Sequence, residues 1–73
     1  MTTKTFNPGT LKIRRKELEY TLDDISYEMR KEGMKTSEST IRNWEAGVTQ
    51  PNAGQLATLA RALMVDDLNE FYK

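Results

Sequence analysis

Apolar residues recur along this chain at helical spacing, and no stretch alternates as a strand would require. The sharpest case comes late, where Leu56, Leu59, Ala60 and Leu63 fall at i, i+3, i+4 and i+7 on one helix face. Asn52, with Gln55 three positions on, gives that helix a capping-box-like start. Upstream, Leu22, Ile25 and Met29 form another stripe behind Thr21, a capping residue followed by Asp23 and Asp24. The helix dipole favours negative charge there, so the paired acids read as helix-start chemistry rather than as a catalytic or metal pair. This helix is predicted to continue through Arg30-Lys31-Glu32 and to stop at Gly33. Asn7-Pro8 opens an earlier helix, predicted over Pro8–Glu19, with a thin apolar face of Leu11 and Leu18 helped by Ile13 and the stems of Arg14 or Arg15. Asp66 is the expected cap of a last helix in which Leu68 and Phe71 or Tyr72 close the core. Met34 is expected to fold back onto the core, and Val48 to turn inward.

The stretch TSESTIRNWEAG, from Thr36 to Gly47, differs from the rest. Its Thr and Ser hydroxyls suit a helix start, and Gly47 suits the left-handed position after a helix end. Ile41 and Trp44 are its large apolar residues, three apart on a narrow stripe. Glu38, Ser39, Arg42 and Asn43 cluster on the opposite side. Arg and Asn are the types that pair bidentately with guanine and adenine edges. A helix anchored by two residues and otherwise turned outward is arranged to touch a partner, and its side chains suit DNA.

Five short helices, no repeat and no linker make residues 1–73 one small all-α domain, with residues 1–6 expected to be disordered. Cys and His are both absent, which removes disulfides, thiolate metal sites and the usual general base. The Ser/Thr cluster at 36–40 has no neighbouring group to activate a hydroxyl, and the four glycines are too scattered to form a phosphate loop. The expectation is no catalysis, no cofactor and no metal. No apolar run reaches membrane-spanning length and no signal-peptide core opens the chain, so a cytoplasmic home is expected. Eleven basic and eleven acidic residues balance, so any footprint for nucleic acid has to be local. Lys12, Arg14, Arg15 and Lys16 form one cluster; Arg30, Lys31, Lys35 and Arg42 form a looser one. A solvated helix face explains either cluster equally well.

The order of these pieces carries a resemblance. A capped helix TLDDIS, a connection, then Ser37-x-Ser39-Thr40-Ile41-Arg42-x-Trp44-Glu45-x-Gly47, then Pro51, then Leu56-x-x-Leu59-Ala60-x-x-Leu63-x-Val65 resembles the Cro/C1-type helix–turn–helix family (XRE family) of bacterial and phage DNA-binding proteins. The resemblance runs from about Leu11 to Phe71. It implies a compact five-helix, lambda-repressor-like domain with its helix–turn–helix over residues 21–47, whose third helix enters the major groove. It implies base contacts by Ser37, Glu38, Ser39, Arg42 and Asn43, and a phosphate contact by Thr21 at the cap of the second helix. The following position, often Gln in the family, is Leu22. It also implies a structural pair between Arg15 and Glu45. The connection before the third helix is about five residues longer than the family's short glycine turn. Lys31 and Lys35, in that extended element at residues 30–35, are the further candidates for phosphate contact.

The resemblance therefore implies a sequence-specific binder of double-stranded DNA, a homodimer on a roughly palindromic operator, and a regulator of transcription, usually a repressor. Its dimer surface is expected around Val65, Leu68, Phe71 and Tyr72. Two other readings stand beside it. One is a protein-interaction module, such as an antitoxin or anti-repressor; the other is the DNA-binding domain of a longer sensor protein.

Overall fold

The computed structural model describes residues 6–72, and all its regular structure is helical. Four α-helices, α1 (Pro8–Glu17), α2 (Leu22–Lys31), α3 (Glu38–Ala46) and α4 (Ala53–Ala62), are followed by a 3-10 helix, Leu68–Tyr72. The last segment was expected as an α-helix capped by Asp66. Instead Asp67 starts it, with its side chain accepting from the Asn69 N–H at 3.0 Å and its carbonyl from the Glu70 N–H at 3.0 Å. Five residues close with the tighter i+3 pattern and bring Phe71 into the core.

The helix starts follow the residues that the sequence marks. Thr21 and Asp24 form a reciprocal capping box, and so do Asn52 and Gln55. Ser37 caps α3 by accepting from the Thr40 N–H at 3.2 Å, and Asn7 caps α1 with Pro8 in its first turn.

The helix ends share one geometry. A residue with positive φ follows each helix: Glu19 (58°), Gly33 (91°), Gly47 (79°) and Met64 (58°). The next N–H then reaches back five residues, from Tyr20 to Arg15, Met34 to Met29, Val48 to Asn43 and Val65 to Ala60. These are Schellman closures, which satisfy the last carbonyls and fold the following side chain over the residue it bonds to. Two of the four use residues that pay a steric penalty for the left-handed conformation, and this is why α1 ends at Glu17 rather than at the expected Glu19.

Tyr20, Met34 and Val65 accordingly pack against the core. Val48 does not: it is 71% exposed, contrary to the inward turn expected of it. Its closure bonds to Asn43, an exposed residue, so the same geometry that buries Met34 over Met29 leaves Val48 over a solvent-facing side.

The core is Leu11 from α1, Ile25 and Met29 from α2, Ile41 and Trp44 from α3, Leu56, Leu59, Ala60, Ala62 and Leu63 from α4 and its end, and Phe71. Phe6 joins it, 6% exposed and stacked on Phe71 with ring centroids 6.2 Å apart, while the adjacent Asn7 N–H bonds the Phe71 carbonyl. Of the residues 1–6 expected to be disordered, Phe6 is thus a core residue, and residues 1–5 lie outside the described ones. Ile13, assigned to the apolar face of α1, is 62% exposed. Leu11 fills that role, and Arg14 covers the end of α4 by donating to the carbonyls of Leu63 at 2.9 Å and Met64 at 3.1 Å. A guanidinium at a helix C-terminus meets both free carbonyls and the negative end of the dipole.

Candidate functional site

Helix α3 is held at two points. Ile41 is fully buried and Trp44 is 2% exposed, while Glu38, Ser39, Arg42 and Asn43 are all exposed. At 100° per residue, Ser39, Arg42, Asn43 and Ala46 form one continuous face opposite the Ile41–Trp44 stripe, with Glu38 at its edge. Among the described residues no hydrogen bond or ion pair engages the side chains of Glu38, Ser39, Arg42 or Asn43. Val48 extends the face beyond Gly47, where its N–H bonds the Asn43 carbonyl at 3.0 Å.

A third fixture lies at the far end of α3. Arg15 meets the Glu45 carboxylate with two bonds, Nε to Oε2 at 2.5 Å and an outer nitrogen to Oε1 at 3.1 Å. It also donates to the Tyr20 carbonyl at 2.8 Å. The two side chains are only 15% and 9% exposed. A bidentate guanidinium–carboxylate pair fixes angle as well as distance. α1 therefore sets the tilt at which α3 presents its face, as the resemblance implies for this pair.

The other expected contact residues divide into committed and free. Thr21 and Ser37 are exposed, but each hydroxyl accepts from its own helix's first turn, from the Asp24 N–H at 3.1 Å and the Thr40 N–H at 3.2 Å. Lys31 lies 3.4 Å from the Glu28 carboxylate and 5.5 Å from the centre of the Tyr27 ring. Lys35 and Arg30 are exposed and without an ion-pair partner among the described residues. Neither basic cluster survives as a unit. Arg14 and Arg15 are used within the fold, leaving Lys12 and Lys16 outward on α1, whereas Arg30, Lys35 and Arg42 remain available around α3.

Phe71, expected at a dimer surface, is fully buried and belongs to the core. The apolar side chains left exposed near it are Leu68 at 41% and Met64 and Ile13 at 62% each. Met64 and Ile13 line a shallow cleft of about 540 Å³ between α1 and the segment after α4, rimmed by Glu17, Asp66, Asp67 and Glu70. The cleft has no local signature in the sequence, because it joins residues about fifty positions apart.

Comparison of the chain with family models, curated proteins and solved structures finds no significant match. No helix among the described residues is long and apolar enough to cross a membrane.

Proposed function

We propose that this chain binds specific double-stranded DNA through α3 and regulates transcription, in the manner of the Cro/C1-type helix–turn–helix proteins it resembles. In this reading α2 and α3 form a helix–turn–helix with an extended connection, inside a five-helix lambda-repressor-like domain whose fifth element is the 3-10 helix. The observation that carries it is the two-sidedness of α3: Ile41 and Trp44 buried, Arg42 and Asn43 exposed and unengaged, and the Arg15–Glu45 brace fixing the tilt. Such a helix has the polar reach for base edges and the rigidity that reading requires.

Arg42 suits guanine and Asn43 suits adenine; Ser39 tolerates several bases; Glu38 suits cytosine. Thr21, whose hydroxyl accepts internally, retains a proton to donate to a phosphate oxygen, and the Ser37–Thr40 hydroxyl pair has one proton left for a base or phosphate oxygen. A palindromic operator requires two copies with half-sites about 34–36 Å apart or a multiple of that. Ile13, Met64 and Leu68 are the exposed apolar residues that suit the contact between copies, which takes place in the cytoplasm with no cofactor.

The test is selection of bound sites from a random duplex pool, followed by Arg42→Ala and Asn43→Ala. Each should cost about 1–3 kcal/mol on the selected site, concentrated at one or two base pairs. Equal weakening of selected and random DNA removes α3 as the reading element. A protein-interaction module is the second reading, favoured by the acid-rimmed apolar cleft at Ile13 and Met64. Loss of binding to a co-purified protein on Met64→Lys, with DNA binding absent throughout, selects it.

A further inference from the structure

The extended connection between α2 and α3 borders a second cleft, of about 420 Å³, that is separate from the outward face of α3. Its walls include Arg30, Lys35, Thr36, Ser37, Thr40 and Gln55, and no carboxylate lines it. Its two charged groups are cations, and its other side chains are hydroxyls and an amide, each able to donate. The Gln55 side-chain oxygen is already used, accepting from the Asn52 N–H at 2.8 Å, so its NH2 group is what remains. Ser37 and Thr40 share one hydroxyl hydrogen bond at 2.9 Å, which leaves one of the two hydroxyl protons to give elsewhere. Ser26 donates to the Thr36 carbonyl at 2.5 Å and so occupies that acceptor.

Thr36 itself is 6% exposed, and its Oγ1 is the buried side-chain polar atom, among the described residues, that has no hydrogen-bond partner. Buried hydroxyls are nearly always paired, so an unpaired one in the wall of a cleft marks a missing partner. Arg30 and Lys35 add two positive charges with no ion-pair partner among the described residues. The N-terminus of α3, capped by Ser37, adds a partial positive charge.

We propose that this cleft is a binding site for a phosphate oxyanion. Arg30 and Lys35 neutralise it, and Thr36, Gln55 and the Ser37–Thr40 pair donate to its oxygens. Two cations with several hydroxyl and amide donors match a phosphate dianion better than a singly charged carboxylate. The source is either a free phosphate or monoester, or a phosphate of a DNA backbone. The inference does not depend on α3 reading bases, because Ser39, Arg42 and Asn43 do not line the cleft.

The experiment titrates the full chain with sodium phosphate above its second pKa, against sodium chloride at matched ionic strength, following backbone amides by two-dimensional NMR. Saturable shifts confined to residues 30–40 and Gln55, together with a phosphate-dependent rise in Tm, are the expected result. Arg30→Ala and Lys35→Ala should each weaken phosphate roughly tenfold or more, the loss of a charge-assisted bond. Lys12→Ala, exposed on α1 and outside the cleft, should leave the affinity unchanged. Thr36→Val keeps the shape and removes the hydroxyl; with an unchanged fold in phosphate-free buffer it should also weaken binding.

Linear shifts that chloride reproduces overturn the proposal. So does a Lys12→Ala loss equal to that of Lys35→Ala, or a folded Thr36→Val variant with undiminished affinity. A random duplex without terminal phosphates then identifies the source. Competition with inorganic phosphate points to the DNA backbone, and simultaneous binding points to a free phosphate or monoester. Failure of Arg42→Ala and Asn43→Ala to alter DNA reading leaves these outcomes untouched, so the two proposals fail separately.

Discussion

Helices α3 and α4 are nearly equal in length, nine and ten residues, and each begins at a side-chain cap, yet the fold treats them in opposite ways. α4 buries five residues, Leu56, Thr58, Leu59, Ala60 and Ala62, and is wrapped by its neighbours. α3 buries two, Ile41 and Trp44. Burial holds most of α4 in place, and Arg14 covers its end through the Leu63 and Met64 carbonyls. α3 needs large anchors and an outside brace, Arg15 on Glu45, because five of its nine residues are exposed. α3 keeps Ser39, Arg42 and Asn43 outward and packs on α1 and α2, whereas α4 packs on α2 and the 3-10 helix.

The largest expected effect follows from how few anchors α3 has. Trp44→Ala should cost about 3–5 kcal/mol, the range for truncating a buried aromatic side chain. In a domain this small that is a large part of total stability. Leu59→Ala in α4 should cost about 2–5 kcal/mol, but its neighbours on both sides can partly close the gap. Hydrogen exchange separates the two: Trp44→Ala should release the α3 amides selectively, and Leu59→Ala should release all helices together. Uniform release by both variants would erase the contrast.

The parts of this arrangement legible in the sequence are those decided within a turn or two. Capping at Thr21, Ser37 and Asn52, the αL position at Gly47 and the stripes Ile41–Trp44 and Leu56–Leu59–Leu63 depend on neighbours three or four positions away. The outward set on α3 was legible for the same reason. What escaped local reading depends on distant residues or on conformations that the residue type disfavours. Phe6 is buried by Phe71, at the other end of the chain, and Arg14 is claimed by carbonyls of Leu63 and Met64. Glu19 and Met64 end their helices at positive φ without the glycine that would announce it. Val48 is apolar and still exposed, because its backbone closes onto Asn43. The orphaned Thr36 hydroxyl is a three-dimensional fact with no signature in the pattern.

The brace gives the next effect. Breaking a well-buried ion pair from one side costs about 3–5 kcal/mol; with both side chains still partly wetted, Arg15→Ala should cost about 2–3 kcal/mol. Glu45→Gln should cost less, since Arg15 keeps its bond to the Tyr20 carbonyl. The double variant Arg15→Ala, Glu45→Gln should be less destabilised than the sum of the two single changes, a coupling measurable by chemical denaturation. If α1 sets the tilt of α3, Glu45→Gln should also weaken the selected DNA site more than it weakens random duplex. Strict additivity of the two changes would mean that α3 keeps its angle without the pair.

Capping comes lower, at about 1 kcal/mol for Ser37→Ala and for Asn52→Ala. The comparison predicts different locations for the same cost. α4, enclosed by the core, should lose global stability with little change in structure. α3 should instead fray at Glu38 and Ser39, and amide exchange there should quicken more than the fall in Tm accounts for. Equal local exchange in the two variants would show that α3 is held as firmly as α4.

The smallest effect lies beside the outward face, where two lysines flank the connection. Lys35 has no ion-pair partner among the described residues, whereas Lys31 sits 3.4 Å from Glu28 and over the Tyr27 ring. If both reach DNA phosphates, each removal lowers the slope of log affinity against log salt by about 0.9. The structure favours an unequal result. Lys31 must share its charge with Glu28, and although so exposed a pair is worth little, a phosphate has to compete with it for the same ammonium. Lys35→Ala should therefore flatten the slope by nearly a full contact and weaken selected and random duplex alike. Lys31→Ala should flatten it by clearly less, and Glu28→Gln should bring Lys31 up to the level of Lys35. Salt titrations of the three variants on one random duplex decide the matter. Equal slopes for Lys31→Ala and Lys35→Ala, unmoved by Glu28→Gln, would mean that the Glu28 pair does not restrain Lys31 and that the phosphate-facing surface spans both sides of the connection.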